Sequence, residues 1–118
     1  MKILLIINDA PYGTEKAYNA LRMAMMLQKE HAETVEVRVF LMADAVTCAL
    51  PNQSTPQGYY NIEVMLRGAL RNGAQVGVCG TCMDARGITE SELSEGCIRS
   101  TLDELTTWTQ WADKVLVF

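Results

Sequence analysis

Histidine is almost absent from this sequence, since His31 is the only one among 118 residues. It follows a predicted helix, far along the chain from the cysteine-rich segment. A Cys–His hydrolase needs a histidine beside its nucleophile, so that class of active site is disfavoured. The sequence also lacks a Walker A loop, a GxGxxG motif after its first strand and a nucleophile elbow. Nucleotide-binding and hydrolase sites of these common kinds are therefore not expected.

Basic runs and long hydrophobic segments are missing as well. Lys and Arg number 10 against 14 Asp and Glu, and the net charge of -4 without any basic patch argues against nucleic-acid binding. The apolar run at residues 3–7 meets Asn8 and Asp9, which makes it too short for a signal peptide or a membrane span. We therefore expect a cytoplasmic protein without membrane contact, in which reducing conditions keep the four cysteines as thiols.

The residues that are present predict one α/β domain covering 1–118. Apolar residues make up 49% of the chain and charged residues 20%, as in ordinary globular domains. Strand-like runs alternate with segments of helical periodicity, and this order predicts a mostly parallel sheet with helices on both faces. Strands are expected at 3–7, 35–42, 74–78, 97–98 and 114–118. Helices are expected after the potential caps Thr14, Asn61, Thr89 and Thr101, the third of them ending near Gly96.

The carboxyl ends of parallel strands lie at one edge of a sheet, and ligand sites form outside that edge. Three loops leave such ends: residues 8–14, residues 43–48 and residues 79–87. We therefore predict that the polar and thiol side chains of these loops share a neighbourhood. The set is Asn8, Asp9, Tyr12, Cys48, Cys79 and Arg86.

The third loop concentrates the chemistry, because Cys79 and Cys82 stand three residues apart in a glycine-rich segment after a strand. A thiol reacts as its thiolate, which cations and helix N-termini stabilise. Gly80 allows another molecule to approach, and Arg86 can supply positive charge. Cys79 is therefore the candidate for a persulfide or disulfide site, and a buried unreactive thiol is the alternative. Cys48 and Cys97 lie in no such motif, so core packing is the favoured role for both.

Two other interpretations of the Cys-x-x-Cys pair remain open. A thioredoxin-like dithiol couple usually opens a helix near the start of its domain, whereas this pair follows a third strand. A zinc site would need Cys48 and then Asp84 or Cys97 as further ligands, without the paired spacing of structural zinc sites. No metal and no cofactor are therefore predicted.

Methionines cluster in the first predicted helix, at Met23, Met25 and Met26. They widen its apolar face beyond one stripe. Methionine packs adaptably in cores, which explains the cluster without any partner. A contact between subunits is the alternative, and we expect a homo-oligomer because these side chains and the two tryptophans of a late helix exceed what one small sheet can cover.

Five blocks of the chain resemble the DsrE/DsrF-like family, and specifically its YchN-like members. The blocks run in order through the chain and are Asn8–Glu15, Phe40–Thr47, Gly58–Ile62, Cys79–Gly87 and Trp111–Leu116. The family includes sulfur-relay subunits such as TusD. The resemblance implies a three-layer α/β/α domain with a five-stranded parallel sheet. It also implies a homo-oligomer, a hexamer in the YchN-like members, with the site cysteine near a subunit interface.

In the sulfur-relay members, a cysteine after the third strand carries sulfur as a persulfide, and Cys79 occupies that position. The resemblance therefore predicts a sulfurtransferase-type protein that receives sulfur from a donor and passes it to an acceptor protein. In this hypothesis Arg86 and nearby N–H groups stabilise the thiolate, while Cys82 resolves or shields the persulfide. Cys82 departs from the sulfur-relay pattern and keeps dithiol redox chemistry open. A non-enzymatic oligomeric binding module is the further alternative.

Overall fold

A computed structural model describes all residues, Met1–Phe118, and builds them into one sheet with helices between its strands. The strands are β1 (Lys2–Ile7), β2 (Glu36–Leu41), β3 (Gln75–Cys79), β4 (Cys97–Ser100) and β5 (Lys114–Val117). The α-helices are α1 (Lys16–Glu30), α2 (Ile62–Arg71), α3 (Gly80–Asp84) and α4 (Leu102–Trp111). Two 3-10 helices cover Ala43–Ala49 and Glu90–Glu92.

All neighbouring strands are parallel, in the order β4-β3-β2-β1-β5. This arrangement confirms the predicted α/β class with a five-stranded sheet. The strands β1, β2 and β3 supply continuous buried apolar runs because helices cover both faces of the sheet. No helix is both long and apolar enough to cross a bilayer.

Gly77 shows how closely α4 approaches the sheet. A Cβ at Gly77 would lie 3.1 Å from the Phe40 ring and 3.2 Å from the Trp108 ring. Those two rings meet edge to face, with centroids 6.0 Å apart, in the favoured geometry of aromatic pairs. The missing side chain on β3 therefore lets α4 pack directly on the middle of the sheet.

Local signals at helix starts were only partly informative. Asn61 caps α2 as predicted, its Oδ1 accepting the Val64 N–H at 3.1 Å. The cap predicted at Thr14 lies one residue too early, because α1 begins at Lys16 and Glu15 is its N-cap residue. The Thr14 hydroxyl still accepts the Lys16 N–H, at 3.4 Å, while it donates to Asp9 Oδ2 at 3.1 Å. The capping box at Thr89 is present, but it starts a single 3-10 turn that ends at Leu93 instead of a helix that reaches Gly96.

Candidate functional site

Cys79 is the last residue of β3, a strand flanked by β2 and β4. Its backbone leaves the strand and α3 begins at the next residue, Gly80. This turn places the Cys79 sulfur over the first N–H groups of α3, which have no carbonyl partner inside the helix. The Cys82 N–H donates to Cys79 Sγ at 3.4 Å, so the thiol itself caps the helix.

The hydrogen bonds to Cys79 favour its thiolate. Thr81 Oγ1 lies 3.4 Å from the Cys79 Sγ, in addition to the Cys82 N–H. Burial is the largest single influence on the Cys79 pKa and raises it. The side-chain and backbone hydrogen bonds from Cys82 and Thr81 together outweigh burial and hold the pKa below its ordinary value. Cys79 is thus the one cysteine whose surroundings favour ionisation.

Cys82 is held in the opposite state. Burial first, and then the hydrogen bond with Cys79, raise the pKa of the Cys82 thiol. Its sulfur accepts the backbone N–H of Ala43 at 3.3 Å. Ala43 has a φ of +52°, a left-handed conformation that non-glycine residues rarely adopt. In this conformation the Ala43 N–H points towards the Cys82 sulfur. The pair therefore combines a thiol whose ionisation is favoured, Cys79, with a thiol whose ionisation is disfavoured, Cys82.

Arg86 lies on the Cys82 side of the site. Its guanidinium donates to Asp44 Oδ1 at 2.7 and 3.0 Å and to the Cys82 carbonyl at 2.9 Å. It makes no hydrogen bond with Cys79. These contacts tie α3 to the 3-10 helix that follows β2, and thereby fix the position of the Ala43 N–H relative to the Cys82 sulfur.

Arg99, which the sequence argument missed, and Asp84, which it considered only as a possible zinc ligand, lie on the Cys79 side. Arg99 Nη1 and Nη2 donate to the two carboxylate oxygens of Asp84 at 2.9 and 3.0 Å. The guanidinium rests against Gly80, where a Cβ would lie 2.9 Å from three of its atoms. The same strand-end argument would have found Arg99 if β4 had been predicted to extend beyond residue 98.

Three of the remaining predicted residues, Asp9, Tyr12 and Cys48, form a separate cluster near the start of α2. The Tyr12 hydroxyl donates to Gln53 Oε1 at 2.7 Å and accepts the Ile62 N–H at 3.0 Å. Asp9 contacts Cys48 through its carbonyl, 3.8 Å from the sulfur.

Asn8 turns towards β5, the edge strand on the side of the sheet away from β3 and β4. Its side-chain amide donates there to the Phe118 carbonyl at 3.1 Å. No hydrogen bond or ion pair joins Asn8, Asp9, Tyr12 or Cys48 to the Cys79 group. The predicted neighbourhood is therefore divided into parts by the structure.

Cys48 and Cys97 are buried, and all four cysteines are free. Burial raises the pKa of Cys48 to about 12 and that of Cys97 to about 11. No three side chains among His, Cys, Asp and Glu are arranged as a metal site. The chemistry that the chain itself can supply is thiol chemistry at Cys79.

Comparisons with known proteins agree with this fold. The model of the family described as "DsrE/DsrF-like family" matches residues 1–118. The chain is 44% identical over 117 residues to Protein YchN of Escherichia coli strain K12, covering 99% of this chain and 98% of that protein. It is 39% identical over 118 residues to Uncharacterized protein MJ0989 of Methanocaldococcus jannaschii, covering both in full. The crystal structure of the ychN protein from E. coli superposes with a TM-score of 0.92 over 99% of this chain and 98% of that one.

Proposed function

The chain belongs to the DsrE/DsrF-like family, and on that premise we propose that it is a sulfur-relay protein carrying sulfane sulfur as a persulfide on Cys79. One observation carries the proposal. The Cys79 sulfur at the end of β3 receives hydrogen bonds from the Cys82 N–H and from Thr81, which favour the attacking thiolate.

The proposed transfer is an exchange without net oxidation. The Cys79 thiolate attacks the outer sulfur of a donor persulfide, R–S–SH, and forms a new S–S bond. The S–S bond of the donor breaks, and its electron pair leaves with the inner sulfur as R–S⁻. The proton remains on the transferred sulfur, so Cys79–S–SH and R–S⁻ are the products. An acceptor thiolate then attacks the outer sulfur, and Cys79 leaves as thiolate again.

Cys82 has a resolving role in this proposal. Its raised pKa keeps it neutral while Cys79 reacts. When no acceptor arrives, Cys82 loses its proton and attacks the inner sulfur of the persulfide as a thiolate. The Cys79–Cys82 bond forms as the persulfide S–S bond breaks, and the outer sulfur leaves as HS⁻, which takes up the proton to give H₂S. The chemistry requires a reducing compartment such as the cytoplasm, in which a reductant restores both thiols.

The direct test is intact-mass spectrometry after incubation with a sulfane-sulfur donor. We expect one adduct of about 32 Da per chain, located on Cys79 by peptide mapping. Cys79→Ser should abolish the adduct, while Cys97→Ala, which removes a buried thiol outside the site, should retain it. Uptake by the Cys79→Ser protein would refute the assignment.

A dithiol redox couple is the second candidate, favoured by the contact between the two site thiols. The two functions differ in what Cys82 must do, because a redox couple needs it to release the mixed disulfide. In a carrier, the Cys82→Ser variant should still load sulfur and should keep it longer. Loss of loading in Cys82→Ser as complete as in Cys79→Ser would favour the redox couple.

We further propose that the working form is a homo-oligomer, with a hexamer expected from the resemblance to the YchN-like members. The support lies in large apolar side chains left exposed on α1 and on the edge strands: Met23 at 43%, Met26 at 56%, Ile98 at 59% and Val117 at 66%. Light scattering at micromolar concentration should give a mass well above the 13.1 kDa of one chain. A monomeric mass would contradict the proposal, and an oligomer without sulfur uptake would favour a non-enzymatic binding module.

A further inference from the structure

Gly80, the residue that follows the candidate nucleophile, has no backbone reason to be glycine. It begins α3 and is not among the residues with positive φ. Alanine would suit a helix better than glycine by roughly 1 kcal/mol. The reason for glycine is instead spatial, because a Cβ here would lie 2.9 Å from the Cζ, Nε and Nη2 atoms of Arg99. The missing side chain admits a guanidinium group against the backbone next to Cys79.

Asp84 fixes that guanidinium in place. The residue lies one helical turn beyond Gly80 and accepts both Nη groups of Arg99 in a two-point contact. Its side chain is 62% exposed and that of Arg99 is 36% exposed, so the pair adds little to folding stability. The contact is better explained by the position in which it holds the Arg99 guanidinium than by its contribution to the free energy of folding.

No hydrogen bond joins the Arg99 guanidinium to the Cys79 sulfur, so Arg99 can influence that sulfur only through its charge. The hydrogen bond with Asp84 is the largest influence that raises the Arg99 pKa. The negative charge of Cys79 also raises the Arg99 pKa, and its contribution is the smallest. At Cys79 itself the hydrogen bonds from Cys82 and Thr81 are the stronger stabilising influences. Any effect of Arg99 on the sulfur must therefore be modest and sensitive to salt.

We propose that Arg99, admitted by Gly80 and held by Asp84, is a positioning residue that keeps positive charge beside the Cys79 sulfur. The charge favours the anionic sulfur in both states of the carrier, the thiolate and the deprotonated persulfide. This role deepens the persulfide proposal and rests on it. It also separates the two arginines of the site, with Arg99 serving Cys79 and Arg86 serving the segment around Cys82.

Several other charged or titratable groups surround Cys79 and must be kept constant in any test. They are Cys82, Asp84 and Arg86 from α3 and the turn after it, Asp44 from the first 3-10 helix, and Glu90 and Glu104 near Arg99 and Ser100. Variants that change only Arg99 or Gly80 keep every one of these groups; Arg99→Gln also removes the cationic partner of Asp84, whereas Gly80→Ala keeps both charges.

The experiment measures the alkylation rate of Cys79 by iodoacetamide against pH, with the product identified by peptide mapping. Arg99→Gln should raise the midpoint of the profile by up to about one pH unit, which slows alkylation about two- to tenfold below that midpoint. Arg99→Lys should recover part of the loss. Gly80→Ala should shift the midpoint in the same direction, because it displaces the guanidinium while keeping every charge.

Arg71→Gln removes an arginine of α2 that has no contact with the site and is the matched control, expected to leave the profile unchanged. Raising the salt concentration should shrink the difference between the parent protein and Arg99→Gln. Circular dichroism monitors folding, and if Gly80→Ala fails to fold, Arg99→Gln and the salt series decide the matter. Superimposable profiles for the parent protein and Arg99→Gln would overturn the inference.

The result is independent of the sulfur-loading test. A protein that takes up no sulfur but shows an Arg99-dependent midpoint refutes persulfide carriage while upholding the charge effect on Cys79. A protein that loads sulfur with an unchanged midpoint in Arg99→Gln upholds carriage and refutes the role of Arg99.

Discussion

Cys79 at the end of β3 and Cys97 at the start of β4 are almost equally buried, with relative exposures of 9% and 6%. Their acidities nevertheless move in opposite directions. Burial raises the pKa of Cys97 to about 11, and it likewise raises that of Cys48 to about 12. At Cys79, too, burial is the largest single influence and raises the pKa, but the hydrogen bonds from Cys82 and Thr81 together outweigh it and lower the pKa.

The difference lies in where each thiol stands along its strand. Cys97 begins β4, whereas Cys79 ends β3 and faces the unpaired N–H groups of the helix that follows. Cys48 has a long contact with a carbonyl, which cannot stabilise a negative charge on sulfur, and burial outweighs the hydrogen bond from its own backbone N–H. Donor groups at a strand end, together with a burial effect weaker than at Cys48 and Cys97, therefore distinguish the reactive thiol from the packed ones.

The largest expected effect is selectivity in limited alkylation. At pH 7.5 the native protein should be labelled at Cys79 about a hundredfold or more faster than at Cys48 or Cys97, because only thiolates react and burial suppresses theirs. The measurement is iodoacetamide labelling with peptide mapping, and labelling in denaturant, where the four thiols should react alike, is the control. Preferential labelling of Cys48 or Cys97 in the native protein would contradict the statement that Cys79 is the most readily ionised of these thiols.

A smaller effect is expected in stability at alkaline pH. Folded Cys48 and Cys97 keep their protons above the unfolded pKa of 9.0, so the folded state binds more protons than the unfolded state. Their contribution is fully present below pH 9 and is lost as the pH rises towards 11 for Cys97 and 12 for Cys48. Each thiol should lower the free energy of unfolding by up to about 1.4 kcal/mol per pH unit in its window.

Urea denaturation between pH 8 and pH 11 checks this slope. Cys48→Ala should flatten it, although the variant starts from a lower stability because a buried sulfur is lost. Cys79→Ala is the matched control and should not flatten the slope, since the lowered Cys79 pKa gives a stabilising contribution above the unfolded pKa that disappears as pH falls. Equal slopes for Cys48→Ala and the parent protein would show that Cys48 ionises freely in the folded state.

The sequence predicted the central part of the fold because β1, β3 and the second half of β2 are largely apolar on both faces and leave a strong pattern. It placed the end of the third strand at Val78, one residue before the observed end, and so put Cys79 at the edge of the sheet where sites form. The N-cap predicted at Thr14 is off by one residue, because the Thr14 hydroxyl bonds both the Lys16 N–H and Asp9, and a sequence pattern does not show at which residue the helix begins.

The electrostatics of the site could not be predicted in the same way. The donor to the Cys82 sulfur is the backbone N–H of Ala43, 39 residues earlier. Its orientation depends on the left-handed φ of Ala43, and an alanine in a sequence does not predict that conformation. Arg86 was expected beside Cys79, yet its partner Asp44 lies 42 residues away and draws it towards Cys82. Contacts of such separation depend on how the strands are ordered in the sheet, which periodicity alone does not determine.

The smallest expected effect concerns the contacts that hold Cys82. Arg86 and Asp44 form an ion pair at 2.7 Å, but their side chains are 30% and 68% exposed, so water and salt weaken it. A double-mutant cycle of Arg86→Gln and Asp44→Asn should therefore give a coupling of only about 0.5 kcal/mol in the free energy of unfolding. Urea denaturation measures it, with Lys16→Gln and Asp9→Asn as a comparison pair of similar exposure, 64% and 30%. Because the Arg86 guanidinium also binds the Cys82 carbonyl, Arg86→Gln should cost more than Asp44→Asn. A coupling of several kcal/mol would show that the Cys82 side of the site is held as rigidly as the packed core around Cys48 and Cys97. It would contradict the contrast drawn between the site thiols and the core thiols.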